Sequence, residues 1–316
     1  MIALVLGAYT TLAACTLHLL IGRVRRLGHA PRLSIAVWLA GCGSVIVSGM
    51  LTGLELAFPS HAIGDELAAL LTACSELLAG HSAAATPRPL IALGGLLAAG
   101  LIFVRVGYCT ASVLFLGRRG RAQHRSAVRL VGRQDRELGA LVVRHDEPAA
   151  YCVPGRGGLI VITSGTLATL GRQHVAAVLA HERAHLAGRH HLLLACAQAL
   201  VRAFPWIPLF VRASREVPRH VELLADDVAA REHPRTVIAA ALIAVAGAST
   251  PIAAMGAGGE TALIRIRRLL SPASPALCRR EKILGALGVG GLLAGPAVVL
   301  VLPSLIVFLA TCPALT

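Results

Sequence analysis

The chain has 316 residues, 56% hydrophobic and only 15% charged, with a mean hydropathy of +0.72. That balance excludes an ordinary soluble domain and a disordered chain, and it points to an integral membrane protein. The formal net charge of +14 comes from arginines that flank apolar stretches instead of forming one stripe. It therefore points to an anionic bilayer surface and away from nucleic acid binding.

Four segments are long and apolar enough to cross roughly 30 Å of hydrocarbon. They run over about residues 2–21, 35–56, 90–116 and 284–310, and the third carries Arg105, which can sit against other helices or snorkel. Leu12-Ala13-Ala14-Cys15 looks like a lipoprotein cleavage box, but no positive charge precedes it and apolar sequence continues past it. A retained first span is expected. Arg23, Arg25, Arg26 and Arg32 follow the first span, Arg118, Arg119, Arg121 and Arg125 follow the third, and Arg279, Arg280 and Lys282 precede the fourth. The connection from Phe58 to Arg88 carries Asp65, Glu66 and Glu76 instead. Basic residues mark the cytoplasmic side, so the expected multi-pass protein of the cell membrane has both termini outside and its central region inside. The division expected is a membrane region 1–117, a cytoplasmic domain 118–281 and a last span within 282–316.

At the start of the central region, Leu141-Val142-Val143 and Leu159-Ile160-Val161-Ile162 have strand character, with a turn rich in Pro and Gly between them. They predict a small antiparallel sheet whose exposed edge could accept an extended peptide by strand addition. Helices follow, so the fold class is mainly α, with about four transmembrane helices and a cytoplasmic α+β domain.

His181-Glu182-Arg183-Ala184-His185 places two imidazoles one helical turn apart with a carboxylate between them. Both rings share a face and can direct a nitrogen at one cation, while Glu182 can reach a water on that cation. Glu222-Leu223-Leu224-Ala225-Asp226 again spaces two carboxylates four apart on a predicted helix and offers a third ligand. Two neutral histidines and one carboxylate around Zn2+, one ion per chain, leave a position open for water, which is the arrangement of a catalytic site. Glu182 would take the proton as that water attacks a carbonyl. Two readings of the carboxylates fit the spacing: Glu222 as ligand with Asp226 orienting a histidine through its second N–H, or Asp226 or Asp227 as ligand with Glu222 outside.

These motifs resemble the gluzincin membrane metallopeptidases of the M48 and M56 groups, which include the CAAX-prenyl proteases, HtpX-like enzymes and the zinc domains of β-lactam-sensing antirepressors. There H-E-x-x-H is followed by E-x-x-x-D on a second helix, which favours Glu222 as the ligand. The likeness extends from Tyr151 through Gly165, where the family has a hairpin, to Val175–Ala180 leading into the first motif. Phe204-Pro205-Trp206-Ile207-Pro208 resembles the Trp/Pro element of M56 proteins, and Thr261–Leu270 resembles the family's Arg-Ile element. The M56 group is the closer match. The M48-type Ser-His-Pro element is missing after Glu222, which leaves His220, His233 and Arg265 as candidates to steady an oxyanion.

The resemblance implies a zinc metalloendopeptidase acting on a cytoplasmic or membrane-proximal protein. An alternative is a regulated signalling protease acting on a transcriptional repressor. Sensing members carry an extracellular domain after the last span, and the sequence stops at Thr316 shortly after that span. Any sensing is expected to use the connection 58–88, the spans or a partner.

His190 and His191 are expected to be polar residues ending the first zinc helix, with His190 more than a turn past His185. The apolar stretch 192–211 cannot cross the membrane, because Glu222 would then lie opposite His181; a re-entrant or interfacial hairpin is predicted. Val237–Ala248 is too short to span and should pack under the zinc helices. Eight cysteines without a C-x-x-C pair read as small buried residues, with no disulfide framework and no second metal site.

Overall fold

The computed structural model describes residues 2–23, 30–58, 88–249, 257–271 and 275–311. The acidic residues of the connection 58–88 and the arginines at 25 and 26 lie outside that set.

Four described helices are long and apolar enough to cross a membrane, which makes the chain a mainly helical protein of multi-pass type. Two of them, α1 (Ile2–Arg23) and α2 (Pro31–Ala57), follow the expected spans closely. The third, α3 (Arg88–Val131), runs unbroken for 44 residues, roughly 65 Å, and so leaves the apolar span as a helix instead of ending near position 117. The last, α10, covers Pro275–Thr311.

In the absence of a hydrophobic drive between helices in lipid, close packing and polar links hold spans together. Both are present here: Tyr9 and Thr10 of α1 hydrogen-bond Ser44 and Ser48 of α2 at 2.8 and 2.9 Å. Gly53 of α2 faces Gly95 of α3 so closely that a Cβ on either would lie 2.5 Å from the other's carbonyl oxygen.

Beyond α3 the chain forms a four-stranded sheet from β1 (Gly132–Asp135), β2 (Ala140–Val143), β3 (Ala150–Val153) and β4 (Leu159–Thr163), in the order β1-β2-β4-β3. The expected antiparallel pairing of the two apolar strands is corrected: β2 and β4 run parallel, with Leu141 opposite Val161. The chain first makes β3 on the outside and returns as β4 between β3 and β2, because β4 is the strand apolar enough to be buried along its whole length. β3 is left as an edge.

Helices α4 (Ser164–Thr169), α5 (Arg172–Ala187), α6 (His190–Ala203), α7 (Pro208–Ala229), α8 (Arg235–Ser249) and α9 (Ala257–Leu270) follow. Thr163 caps α4 by accepting the Thr166 N–H. Val175 and Leu179 of α5 pack on Ile160 and Ile162 of the sheet, while Ala177 and Ala180 meet Ala229, Ile238 and Leu269 from α7, α8 and α9. The apolar helix near 237–248 thus packs beside the first zinc motif.

Helices α6 and α7 form a hairpin over the stretch predicted to turn back. Its core residues Leu200, Leu209, Phe210, Val217 and Val221 belong to one cluster with Ile21 of α1 and Ile35, Trp38 and Val45 of α2. At the tip, Arg105 of α3 donates to the Ala203 carbonyl at the end of α6, and its guanidinium lies 5.7 and 5.5 Å from the Phe204 and Trp206 rings. Pro208 then opens α7, where a missing N–H costs nothing.

Candidate metal centre

Helical spacing puts His181 and His185 on one face of α5, and the α6–α7 hairpin returns Glu222 to them. The His181 and His185 Nε2 atoms lie 3.1 Å apart, and each is 3.4 Å from a Glu222 carboxylate oxygen. One donor atom from each of the three residues falls within 4.8 Å of the others, so the set could hold one metal ion. The two ring nitrogens face each other, as two ligands of one cation would. The donor chemistry, two imidazoles and a carboxylate, fits zinc.

Asp226, one turn past Glu222, is buried and lies 3.0 Å from His181 Nδ1 through Oδ1. It sits behind the imidazole, while Glu222 sits in front. Arg265 of α9 donates to both Asp226 oxygens, from Nε at 2.8 Å and from a terminal nitrogen at 2.7 Å, and its other terminal nitrogen is 3.0 Å from Glu222. Burial would raise the Asp226 carboxyl, but Arg265 and His181 outweigh it and hold it down at about 2. For His181, burial disfavours the charged ring, yet the hydrogen bonds to Asp226 and Glu222 raise it to about 9. His185 goes the other way: burial lowers it to about 4, against the pull of Glu222. Without an ion, the surroundings thus favour the charged form of His181 and the neutral form of His185.

Helical spacing puts His190 more than a turn past His185 at the end of the same helix, whereas in the structure His190 begins the next helix. α5 stops at Ala187, Gly188 follows, and Arg189 takes a left-handed conformation with φ 48° and ψ 38° that folds α6 back. A Cβ on Gly188 would collide with the His190 ring. The buried His190 Nδ1 comes within 3.0 Å of His185 Nδ1, so each histidine of the motif has a polar partner on its far nitrogen.

Glu182 lies near Cys152 of the edge strand β3, on which α5 packs. Burial raises the Glu182 carboxyl above the usual range, which suits a group that must take up and release a proton. The Cys152 thiol is pushed up to about 12 by burial and by Glu182, so it stays a neutral donor.

Of the three oxyanion candidates, Arg265 alone stands at the centre, and it is engaged with two carboxylates. His220 donates from Nδ1 to the Glu216 carbonyl of its own helix at 2.8 Å. His233 lies past the end of α7. Asp227, the other ligand considered, faces away from the motif and pairs with Arg268 at 2.7 Å and Arg235 at 3.5 Å.

Residues 118–215 match the family model of peptidase family M48. The matched stretch, less than a third of the chain, contains the H-E-x-x-H pentapeptide and stops short of Glu222. It supports a metallopeptidase of that type. No curated protein and no solved structure matches the chain.

Proposed function

We propose that the chain is a zinc-dependent metalloendopeptidase of the cell membrane, with its active site on the cytoplasmic side. The observation that carries this reading is the convergence of His181, His185 and Glu222, with Glu182 following His181 in the same helix. A zinc ion held by those three would supply Lewis acidity and an ionisable water. Glu182 is the general base that accepts the proton of the attacking water and returns it to the leaving nitrogen. Asp226 and His190 fix the orientation of the two rings from behind.

Glu182 lies near Cys152 of the edge strand β3, so an extended substrate segment pairing with Ala150–Val153 would present its carbonyl to the metal, beside the base that activates the water. Such a mode selects an extended backbone more than particular side chains. The packing of the hairpin tip against Arg105, a residue inside the third apolar span, supports a re-entrant position for α6 and α7.

Assignment to the M56 group, and action on a transcriptional repressor, is a second reading. It is supported by the Trp/Pro element at the hairpin tip, whose Trp206 stacks on Arg105. Cleavage of a winged-helix repressor encoded beside the gene would favour it.

The test is zinc content of detergent-purified protein together with cleavage of an unfolded casein-like substrate. Wild type is expected to carry one zinc per chain and cleave. Glu182→Gln should keep the metal and lose at least about a hundredfold in rate. His181→Ala and Glu222→Gln should lose both. Full zinc occupancy in Glu222→Gln would remove Glu222 from the ligand set, and wild-type zinc without cleavage would overturn the peptidase reading.

A further inference from the structure

A second concave site lies on the opposite face of α7 from the metal centre. It is a cavity of about 760 Å³ where the ends of α2 and α10 meet α7, α8 and α9. Among the described residues, its wall carries Arg32, Arg231, Arg235, Arg268 and Lys282 against one carboxylate, Asp227. Helical spacing makes this a built surface: positions 224, 227 and 231 share one face of α7, and positions 278, 282 and 286 share one face of α10.

Asp227 is already satisfied by Arg268 and Arg235. Among the described residues, Arg32, Arg231 and Lys282 have no carboxylate partner, so three cations face one hollow uncompensated. Arg268 is largely buried, and its Nε is enclosed without an acceptor. The first turn of α2, starting at Pro31, also opens here and adds the positive end of a helix. Three cations without a carboxylate partner and a helix start describe a receptor for a multiply charged oxyanion. Guanidinium groups bind phosphate oxygens through paired N–H donors, whereas a lysine contributes a point charge.

We propose that this cavity binds a phosphate group, and that the phosphate is presented by an anionic phospholipid headgroup or by a free phosphate. The lipid source fits the position. The cavity lies where two apolar spans end, and Leu33 and Ala286 continue its wall along α2 and α10, the direction in which acyl chains would run. This goes beyond the peptidase reading and does not depend on it; only the lipid source requires the chain to span a bilayer.

Full-length protein in a non-ionic detergent, titrated with short-chain phosphatidylglycerol, phosphatidylcholine or inorganic phosphate and followed by native mass spectrometry, tests the site without using proteolysis. Wild type should retain one phosphatidylglycerol in preference to phosphatidylcholine. Arg231→Gln with Lys282→Gln removes two exposed side chains and should weaken that binding at least about tenfold. Arg118→Gln with Arg129→Gln, two exposed arginines of α3 outside the cavity, should leave it unchanged. Displacement of the lipid by millimolar inorganic phosphate would assign the site to phosphate from either source, and retention would assign it to the lipid. Equal binding by the cavity variant, equal loss in the α3 variant, or no binding of any probe would overturn the proposal.

Discussion

The two flanks of α5 are built from different chemistry. Toward α7 and α9, His181 meets a buried ionic cluster in which one arginine holds two carboxylates in place. Toward β3, Glu182 lies near the Cys152 thiol of an edge strand, a neutral group whose ionisation burial disfavours. Fixed charges suit a group that must not move or change protonation once a cation is bound. A weakly polar, half-buried surround suits a group whose proton must come and go. On the proposed function, one short helix would divide holding from proton transfer by the neighbours it is given on each side.

The largest effect that would sharpen this contrast is expected on the ionic flank. Asp226→Asn should weaken zinc affinity about 10- to 100-fold, because the ring behind the ligand nitrogen loses its charged partner. Competition with a chromogenic chelator measures it, and unchanged affinity would deny Asp226 any part in orienting His181.

The same pair predicts a pH dependence in metal-free protein. Asp226 has its carboxyl depressed from 3.8 to about 2, so its contribution is present above pH 3.8 and is lost as the pH falls through about 2. A loss on the order of 2 kcal/mol is expected over that window. The melting midpoint of wild type should fall there more steeply than that of Asp226→Asn.

Next in size is the other ring. His190→Ala should weaken zinc binding about tenfold, and His190→Asn, which keeps a polar atom near His185, should recover part of it. Equal behaviour of the two substitutions would mean that His190 only fills space. The smallest effect belongs to the strand edge: Cys152→Ala should lower kcat/KM by about two- to fivefold with zinc content unchanged, and Cys152→Ser should stay near wild type. A larger loss of zinc than of rate would erase the proposed difference between the flanks.

Much of the centre could be read from periodicity alone. In both H-E-x-x-H and E-x-x-x-D the residues sit four apart on uninterrupted helix, where spacing in sequence is spacing in space. His190 escaped that logic because helical spacing was extended through Gly188 and Arg189, where the chain leaves the helix. A glycine followed by a residue able to adopt positive φ was the available signal. Arg265 could be named only as one of three candidates, since 39 residues separate it from Asp226 and no periodicity reaches across helices. The mixed sheet was hidden for a similar reason: β3 and β4 are adjacent in sequence and do pair antiparallel, but the β2–β4 pairing depends on which strand the core buries.

The α6–α7 hairpin also bears on the order in which the molecule can be assembled. His181 and His185 ride on a helix that packs against one face of the sheet, while Val128 of α3 packs with Leu141, Val153, Leu159 and Val161 of the strands. Glu222 rides on a helix whose apolar side is completed by α1 and α2. If the three residues hold a metal ion, completing the donor set would require the hairpin to be docked against α1 and α2.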